Sequence, residues 1–425
     1  MGLSYRHIGQ YQQAIELHQQ SLAIDHAIGD RQGEAVSLGN LGLINYRYLG
    51  QYQRSIELHQ QSLAIEREIG DRQGEAISLN NLGSAHININ QLAEAEAVLS
   101  QSIEAYEALR VDLSDAQLIA IADTQSQAYN NLERALIAQN KTLEALAITE
   151  RGRAQAFALQ LAIRQGESFD APVTYPSVAD IQRIAAEQNT TIVEYSIVFD
   201  ETLHIWVISP SGDIQFRQVS LADLSADTLT VFIQQTRNSL GVRGNRNASA
   251  APQYNPEFIA RRQAETDQNL KDLHNLLIEP IADLLPTDPE ANVVFIPQGE
   301  LFLVPFPALK DESGTYLIEK HTISTAPSIQ VLGLAGERER GNGGVGSGLR
   351  REPSRTGVGD VLIIGNPTMP TVTIADESGL QDFQLTALPG AQREAQAIGE
   401  FLNITPLIGS QATEAQVKAQ LPNVD

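Results

Sequence analysis

The chain has 425 residues and a mass of 46.3 kDa, a length that calls for two or three domains of ordinary size rather than one. Its 52 acidic and 29 basic residues give a net charge of −23, a field that repels phosphate backbones and anionic lipid, and the sequence has no local basic patch to override it. Cysteine is absent, which excludes disulfides, thiolate metal sites and any cysteine nucleophile within these residues. No apolar run approaches the length needed to span a bilayer, and the first residues lack the features of a signal peptide. The expectation is therefore a soluble chain of a reducing compartment, the cytoplasm.

The strongest feature comes first in the chain. Gly9 to Ile24 recurs almost letter for letter at Gly50 to Ile65, and the match continues from Ile28–Ala35 to Ile69–Ala76 and from Asn40-Leu41-Gly42 to Asn81-Leu82-Gly83. A fixed period of this length marks a helical solenoid. Each unit reads as two helices split by a Gly-Asp-Arg-Gln-Gly turn. Ala14, Leu17, Ser21 and Ile24 fall at helical spacing on one face, where paired helices would stack into a shared core, as do Ala35, Leu38, Leu41 and Gly42 on the next helix. A third, worn unit runs from Asn90 to Ile103. A fourth begins near Ala116, passes through Tyr129 and Leu132, and has its second helix over about Thr142 to Ile163.

These units resemble tetratricopeptide repeats of the lengthened kind over about 160 residues, the first of them having lost most of the first half of its leading helix. Such an array implies a protein or peptide partner received on its inner surface, with a plain spacer as the alternative. His18 and His59 are repeat-equivalent. Without carboxylates or cysteines at ligand spacing, they are expected on the surface or lining the groove rather than at a metal.

Periodicity ends after Ile163. Residues 166–190 read as a linker and short helix, with prolines at Pro172 and Pro176 and the helix over Val178 to Gln188. Three strands then form a meander at Thr191–Val198, Leu203–Ile208 and Ile214–Val219. Helices are expected over about Leu229–Leu240 and Pro256–Leu285, and further strands over Val293–Pro297, Leu301–Pro305 and Ile318–Thr325. Residues 336–359 read as a flexible glycine-rich loop. Gly341, Gly343 and Gly346 there spell a dinucleotide fingerprint without the flanking strand and helix that such a site requires, so no cofactor is assigned. Beyond the loop, strands at Val361–Ile364 and Thr405–Ile408 alternate with helices at Pro389–Leu402 and Thr413–Leu421, a pattern that argues for a parallel sheet.

Several segments of this second half carry a resemblance: Gly299–Leu309, Ala326–Ser328, Ile364–Pro367, Leu388–Ala395 and Leu407–Thr413. Together they resemble the CHAT domain, a caspase-like domain found fused to tetratricopeptide repeats in bacteria. Ala138 to Phe157, including Glu150-Arg-Gly-Arg-Ala154, is similar to the helix pair that precedes it in that family. The fold class expected is thus an all-α repeat solenoid over 1–165, followed by an α/β caspase/separase-like domain. That domain starts at 191–335 and resumes at 360–425, where it is incomplete at its C-terminus.

The resemblance implies a cysteine peptidase in which a thiolate attacks a peptide carbonyl and a histidine handles the proton. No residue here matches either member of that dyad, so no catalytic, cofactor or metal position is assigned. His204, His274 and His321 are read as structural or exposed. H-E-x-x-H, EF-hand and G-x-S-x-G patterns are absent. Three readings follow: a recognition array governing a peptidase whose dyad lies elsewhere, a non-catalytic scaffold with a degenerate domain, and a broken product that folds poorly.

Overall fold

The computed structural model describes residues 10–109, 115–165, 175–199, 201–221, 226–239 and 256–333, and strands within 364–409. It divides into two compact units, one of residues 1–242 with 260–343 and one of 243–259 with 344–425.

The first unit opens with seven helices: α1 (Tyr11–Ile28), α2 (Arg31–Arg47), α3 (Tyr52–Ile69), α4 (Arg72–Asn88), α5 (Leu92–Leu109), α6 (Asp115–Ala138) and α7 (Thr142–Gln165). The repeated turn accounts for the helix breaks. Gly29 and Gly70 close α1 and α3 at φ +72° and +75°, and the side chains of Asp30 and Asp71 then cap α2 and α4 by accepting from Gly33 N and Gly74 N, each at 2.9 Å. Successive units are also bolted alike. Ser62 Oγ donates to Ala35 O at 2.8 Å, and Ser102 Oγ to Ala76 O at 2.7 Å.

Two expectations about the repeats are corrected. Ile24 does not face inward: its counterpart Ile65 is buried in the cluster with Ala35 and Leu38, whereas Ile24 is 60% exposed, and no helix precedes α1 among the described residues. His18 and His59, expected on the surface or lining the groove, lie in neither place. Both are buried, and the His59 ring lies so close to α2 that a Cβ on Gly42 would come within 2.6 Å of Nε2. The worn third unit puts Leu99 at the same place against Gly83. The position is therefore a knob inserted at a glycine, and packing determines it whatever the side chain's polarity.

Burial holds the His59 imidazole at about 4 against an ordinary 6.5, and neither ring nitrogen has a hydrogen-bond partner. The unfolded chain therefore takes up its proton first as pH falls. Stability that is present above about 6.5 is lost through the window down to about 4. His59→Leu, which copies the third unit, is expected to gain about 2 kcal/mol on the parent between pH 7.5 and 5. Urea midpoints at the two pH values check this.

The rest of the first unit is a mixed sheet with helices on both faces. Its elements are α8 (Val178–Glu187), β1 (Thr190–Val198), β2 (Thr202–Ile208), β3 (Ile214–Ser220), α9 (Ala226–Ser239), α10 (Pro256–Leu277), β4 (Asn292–Ile296) and β5 (Thr322–Thr325). Strand order is β3-β2-β1-β4-β5, with the β1–β2–β3 meander antiparallel and β1–β4–β5 parallel. Alternation sorts the side chains. Val193, Tyr195, Leu203, Ile205, Val293 and Phe295 enter a core with α9 and α10. Ile192, Trp206, Ile208 and Ile296 enter a second core shared with α5, α6, α7 and α8. The region read as a linker and short helix thus contributes Ile181, Ile184 and Ala185 to that shared core.

Three further readings change. Leu301–Pro305 is not a strand: Gly299–Leu303 is a 3₁₀ turn that buries Leu301 and Val304, three apart, and leaves Phe302 48% exposed. Leu317–Glu319 is a second such turn, so the strand expected from Ile318 starts at Thr322. α10 ends at Leu277, and the apolar pattern continues through a 3₁₀ turn at Glu279–Ile281.

In the second unit, β6 (Ile364–Pro367) pairs in parallel with β9 (Leu407–Gly409), as the strand pattern suggests, and β7 (Thr371–Asp376) and β8 (Gly379–Gln384) form an antiparallel hairpin that the pattern does not reveal. The loop expected at 336–359 and the helices expected at 389–402 and 413–421 lie outside the described residues.

Candidate functional site

The helical periodicity of α6 and α7 puts polar groups on the face that meets the sheet. Glu133 on α6, and Thr149, Glu150 and Arg153 on α7, recur at helical spacing among Leu132, Leu136, Ala145 and Leu146, all four of these apolar residues lying in the shared core. On the sheet side, the same alternation that points Ile192 and Trp206 toward the repeats also points Glu194, Ser196 and His204 there. Ser196 and His204 are directly paired across β1 and β2. Most of these groups are buried, so they must be satisfied at the junction itself.

They do so in two knots. Glu133 receives Thr149 Oγ1 and Ser196 Oγ on one oxygen, both at 2.9 Å, and lies 2.6 Å from His204 Nδ1 through the other. Beside it, Trp206 Nε1 donates to Thr142 O at 2.9 Å, at the start of α7. The second knot is built by Glu150-Arg151-Gly152-Arg153-Ala154. Glu150 Oε2 accepts from Ile329 N and Gln330 N at 3.0 and 3.3 Å, where a helix begins after the Ala326-Pro-Ser328 turn. Arg151 pairs with Glu107 and stacks 4.7 Å over the Tyr175 ring. Gly152 admits the Tyr129 ring, since a Cβ there would sit 3.2 Å from it. Arg153 donates to Pro297 O at 2.7 Å and to Tyr195 O, and its Nε lies 3.1 Å from Glu194 Oε1. Ala154 is buried.

Within this knot Glu150 and Glu194 share the Arg153 guanidinium. Burial raises Glu150, with Arg153 and the two amides pulling the other way. Burial and then the Glu150 charge raise Glu194 well above the ordinary carboxylate range, against the attraction of Arg153. The folded state therefore retains a proton that the unfolded chain gives up. The stability this confers is complete below about 4.5 and is lost as pH rises through the folded value. Glu194→Gln is expected to gain on the parent progressively above pH 4.5, and a series of urea midpoints measures the gain. A constant difference across that range would contradict the assignment.

A groove lies next to the first knot. It encloses about 590 Å³ between the inner helices α2, α4 and α6 and the β1–β2 hairpin. Arg47, Asn81, Asn131 and Arg134 line the repeat side, and Phe199, Glu201 and His204 the sheet side. Asn131 is held by Asn80 and Ser84 at 2.8 and 2.9 Å, and the Arg134 guanidinium lies 5.8 Å from the Phe199 ring centroid.

His204, His274 and His321, which the sequence leaves as structural or exposed, are all buried. Sequence reasoning misses Glu133, Glu194 and Ser196. For the two strand residues the available signal is a charged or hydroxyl residue at every second position of a strand otherwise apolar on both faces. Among the described residues, no three potential ligands cluster as a metal site, and no helix is long and apolar enough to cross a membrane.

Comparison with known proteins finds two families in the chain. A tetratricopeptide-repeat family model matches residues 1–68 and 45–108, and the CHAT domain model matches 267–425. That second match opens within α10, while the sheet holding β4 and β5 already begins at Thr190. The chain is similar to Tetratricopeptide repeat protein 28 of Homo sapiens, at 24% identity over 79% of this chain and 16% of that protein, and of Mus musculus, at 25% over 79% and 17%. It thus spans about a sixth of the length of these relatives. Among solved structures it is similar to BtubC (BKLC) from P. vanneervenii, with a TM-score of 0.32 and 19% identity over 41% of this chain and 65% of that one. The chain carries N-terminal tetratricopeptide repeats and, over residues 267–425, a CHAT domain.

Proposed function

We propose that the repeats receive a protein partner on their inner face and that the attached CHAT domain responds to that contact. The observation that carries this reading is the direct seating of the repeats on the sheet. Glu133 and Glu150 are buried on the helices and, with the partly buried Arg153, bond to Ser196, His204, Ile329 and Pro297 across the junction. A rigid buried joint passes strain from one side to the other, which a flexible tether would not do.

In the complete protein the responding chemistry would be peptide cleavage by a cysteine–histidine pair, as the caspase-like family implies. These 425 residues contain no cysteine, so the thiolate would have to come from outside them, and alone they would be inactive. The same absence favours a second reading, in which the domain only assembles complexes. The compartment in both readings is the cytoplasm.

Selection of binders from a displayed random-peptide library on the full chain tests this, repeated with Ser84→Trp, which fills the groove. Binders that lose affinity for the filled variant support recognition through the repeats. Absence of binders, or binders indifferent to the filling, would contradict it.

A further inference from the structure

A second cavity, of about 580 Å³, is lined only by residues between His274 and His321 and so owes nothing to the repeats. His321 immediately precedes β5 and Pro289 lies just ahead of β4, which puts the cavity where two parallel strands begin. Open α/β sheets gather reacting groups at the opposite, carboxyl ends of their strands, so this is not where the domain's own chemistry is expected.

The floor is apolar with two exceptions. Ile278, Leu285 and Leu317 are buried there beside His274 and His321, which are only 4% and 7% exposed. Neither ring has a hydrogen-bond partner on Nδ1, an uncommon state for a buried polar atom. Burial, and after it the Lys320 charge, lowers both imidazoles from their ordinary 6.5, with Asp311 and Glu279 pulling the other way at His274. At neutral pH the floor is therefore uncharged, and a neutral imidazole accepts a hydrogen bond through one of its nitrogens.

The rim, by contrast, is acidic. Asp311 is neutralised within the fold, 2.6 Å from Lys320 Nζ and accepting from Ser313 Oγ and Thr315 N. Glu279 and Glu312 form no ion pair among the described residues. The Glu312 carboxylate accepts from the Asn275 amide at 2.8 Å, and Lys271 donates to the Glu312 main-chain carbonyl instead. Two uncompensated carboxylates thus stand at the mouth of a largely apolar cavity.

We propose that this cavity binds an organic cation, an ammonium on an apolar stem: Glu279 and Glu312 balance its charge, a floor imidazole accepts one of its N–H bonds, and Ile278, Leu285 and Leu317 cover the stem. Charge decides against an anion, which would meet both free carboxylates while the one ammonium on the rim is held by Asp311. A metal ion would leave the apolar floor unused, and no three potential ligands converge among the described residues. The chain's charge of −23 also draws cations toward it. Free amines and lysine side chains of a peptide share the required chemistry, and the test separates them.

Calorimetric titration of the full chain uses n-hexylamine, hexanoate as its counterpart of opposite charge, and the blocked tripeptide acetyl-Ala-Lys-Ala-amide. Saturable binding of an amine probe is expected at pH 7.5, weakened about tenfold by each of Glu279→Gln and Glu312→Gln and unchanged by Glu16→Gln, an exposed carboxylate of the repeats. Glu279 and Glu312 are themselves exposed, and an unchanged far-ultraviolet spectrum verifies the fold of each variant. Binding of the tripeptide assigns the site to a lysine side chain, and binding of hexylamine without it to a free amine. No saturable binding of either cation, hexanoate binding as tightly, or affinity indifferent to both rim variants would overturn the inference. An equal loss in Glu16→Gln would overturn it too, by assigning the contact to the acidic surface as a whole.

Discussion

Arg153→Ala is expected to lower the unfolding free energy by about 3–5 kcal/mol, the cost of breaking a buried ion pair by removing one partner. The change leaves Glu194 and Glu150 buried without their cation and takes a donor from both Tyr195 O and Pro297 O. Arg153→Lys is expected to recover only part of the loss, because a single ammonium cannot reach two carbonyls and a carboxylate as the fork does. The deficit also has a pH signature. With the guanidinium gone, the carboxyls hold their shared proton more strongly, so the loss is largest at neutral and alkaline pH and shrinks toward pH 4.5. A packing defect alone would give a loss independent of pH. Denaturant midpoints of both variants across pH 4.5–8 separate the two cases.

Trp206→Ala is expected to cost about 3–5 kcal/mol as well, by a different route. The side chain is fully buried in the core that the repeats share with the sheet, tilted against Phe216 at 5.2 Å, with its indole N–H on Thr142 O. Alanine removes most of that volume from a place where two rigid surfaces meet, and neither can collapse into the gap. Trp206→Phe keeps most of the ring and loses the hydrogen bond, so about 1 kcal/mol is expected there. A large difference between the two variants assigns the energy to packing at the joint, and near-equal losses would assign it to the Thr142 bond. Thermal or urea unfolding followed by far-ultraviolet circular dichroism measures both.

The joint is partly legible in the sequence. Glu150 to Ala154 stands out by resemblance alone, and the structure shows what each residue does. Glu150 caps a helix start, Arg151 and Arg153 clamp, Gly152 permits a close approach and Ala154 fills the core. The repeats are legible because a near-identical period needs no knowledge of packing, and because Gly29 and Asp30 mark a helix end and start by local chemistry. Where packing decides, the letters mislead. His18 and His59 read as surface or groove-lining residues because they are polar, yet they are buried at a repeat position that Leu99 fills in the third unit. Leu301 to Pro305 reads as a strand because a short apolar run has no visible period. Its burial at Leu301 and Val304 follows a period of three, and only the surrounding core reveals that. The groove is not legible at all, since Arg47, Arg134 and His204 are far apart in sequence and meet only through the fold.

The central claim is that repeats and sheet form one cooperative body through the buried joint. The most direct test is equilibrium urea unfolding of the chain, followed at once by Trp206 emission, which reports the joint, and by helical dichroism, which is dominated by the repeats. Coincident transitions with one midpoint are the result this account predicts. Loss of the Trp206 signal at a lower urea concentration, with the helices still intact, would contradict it.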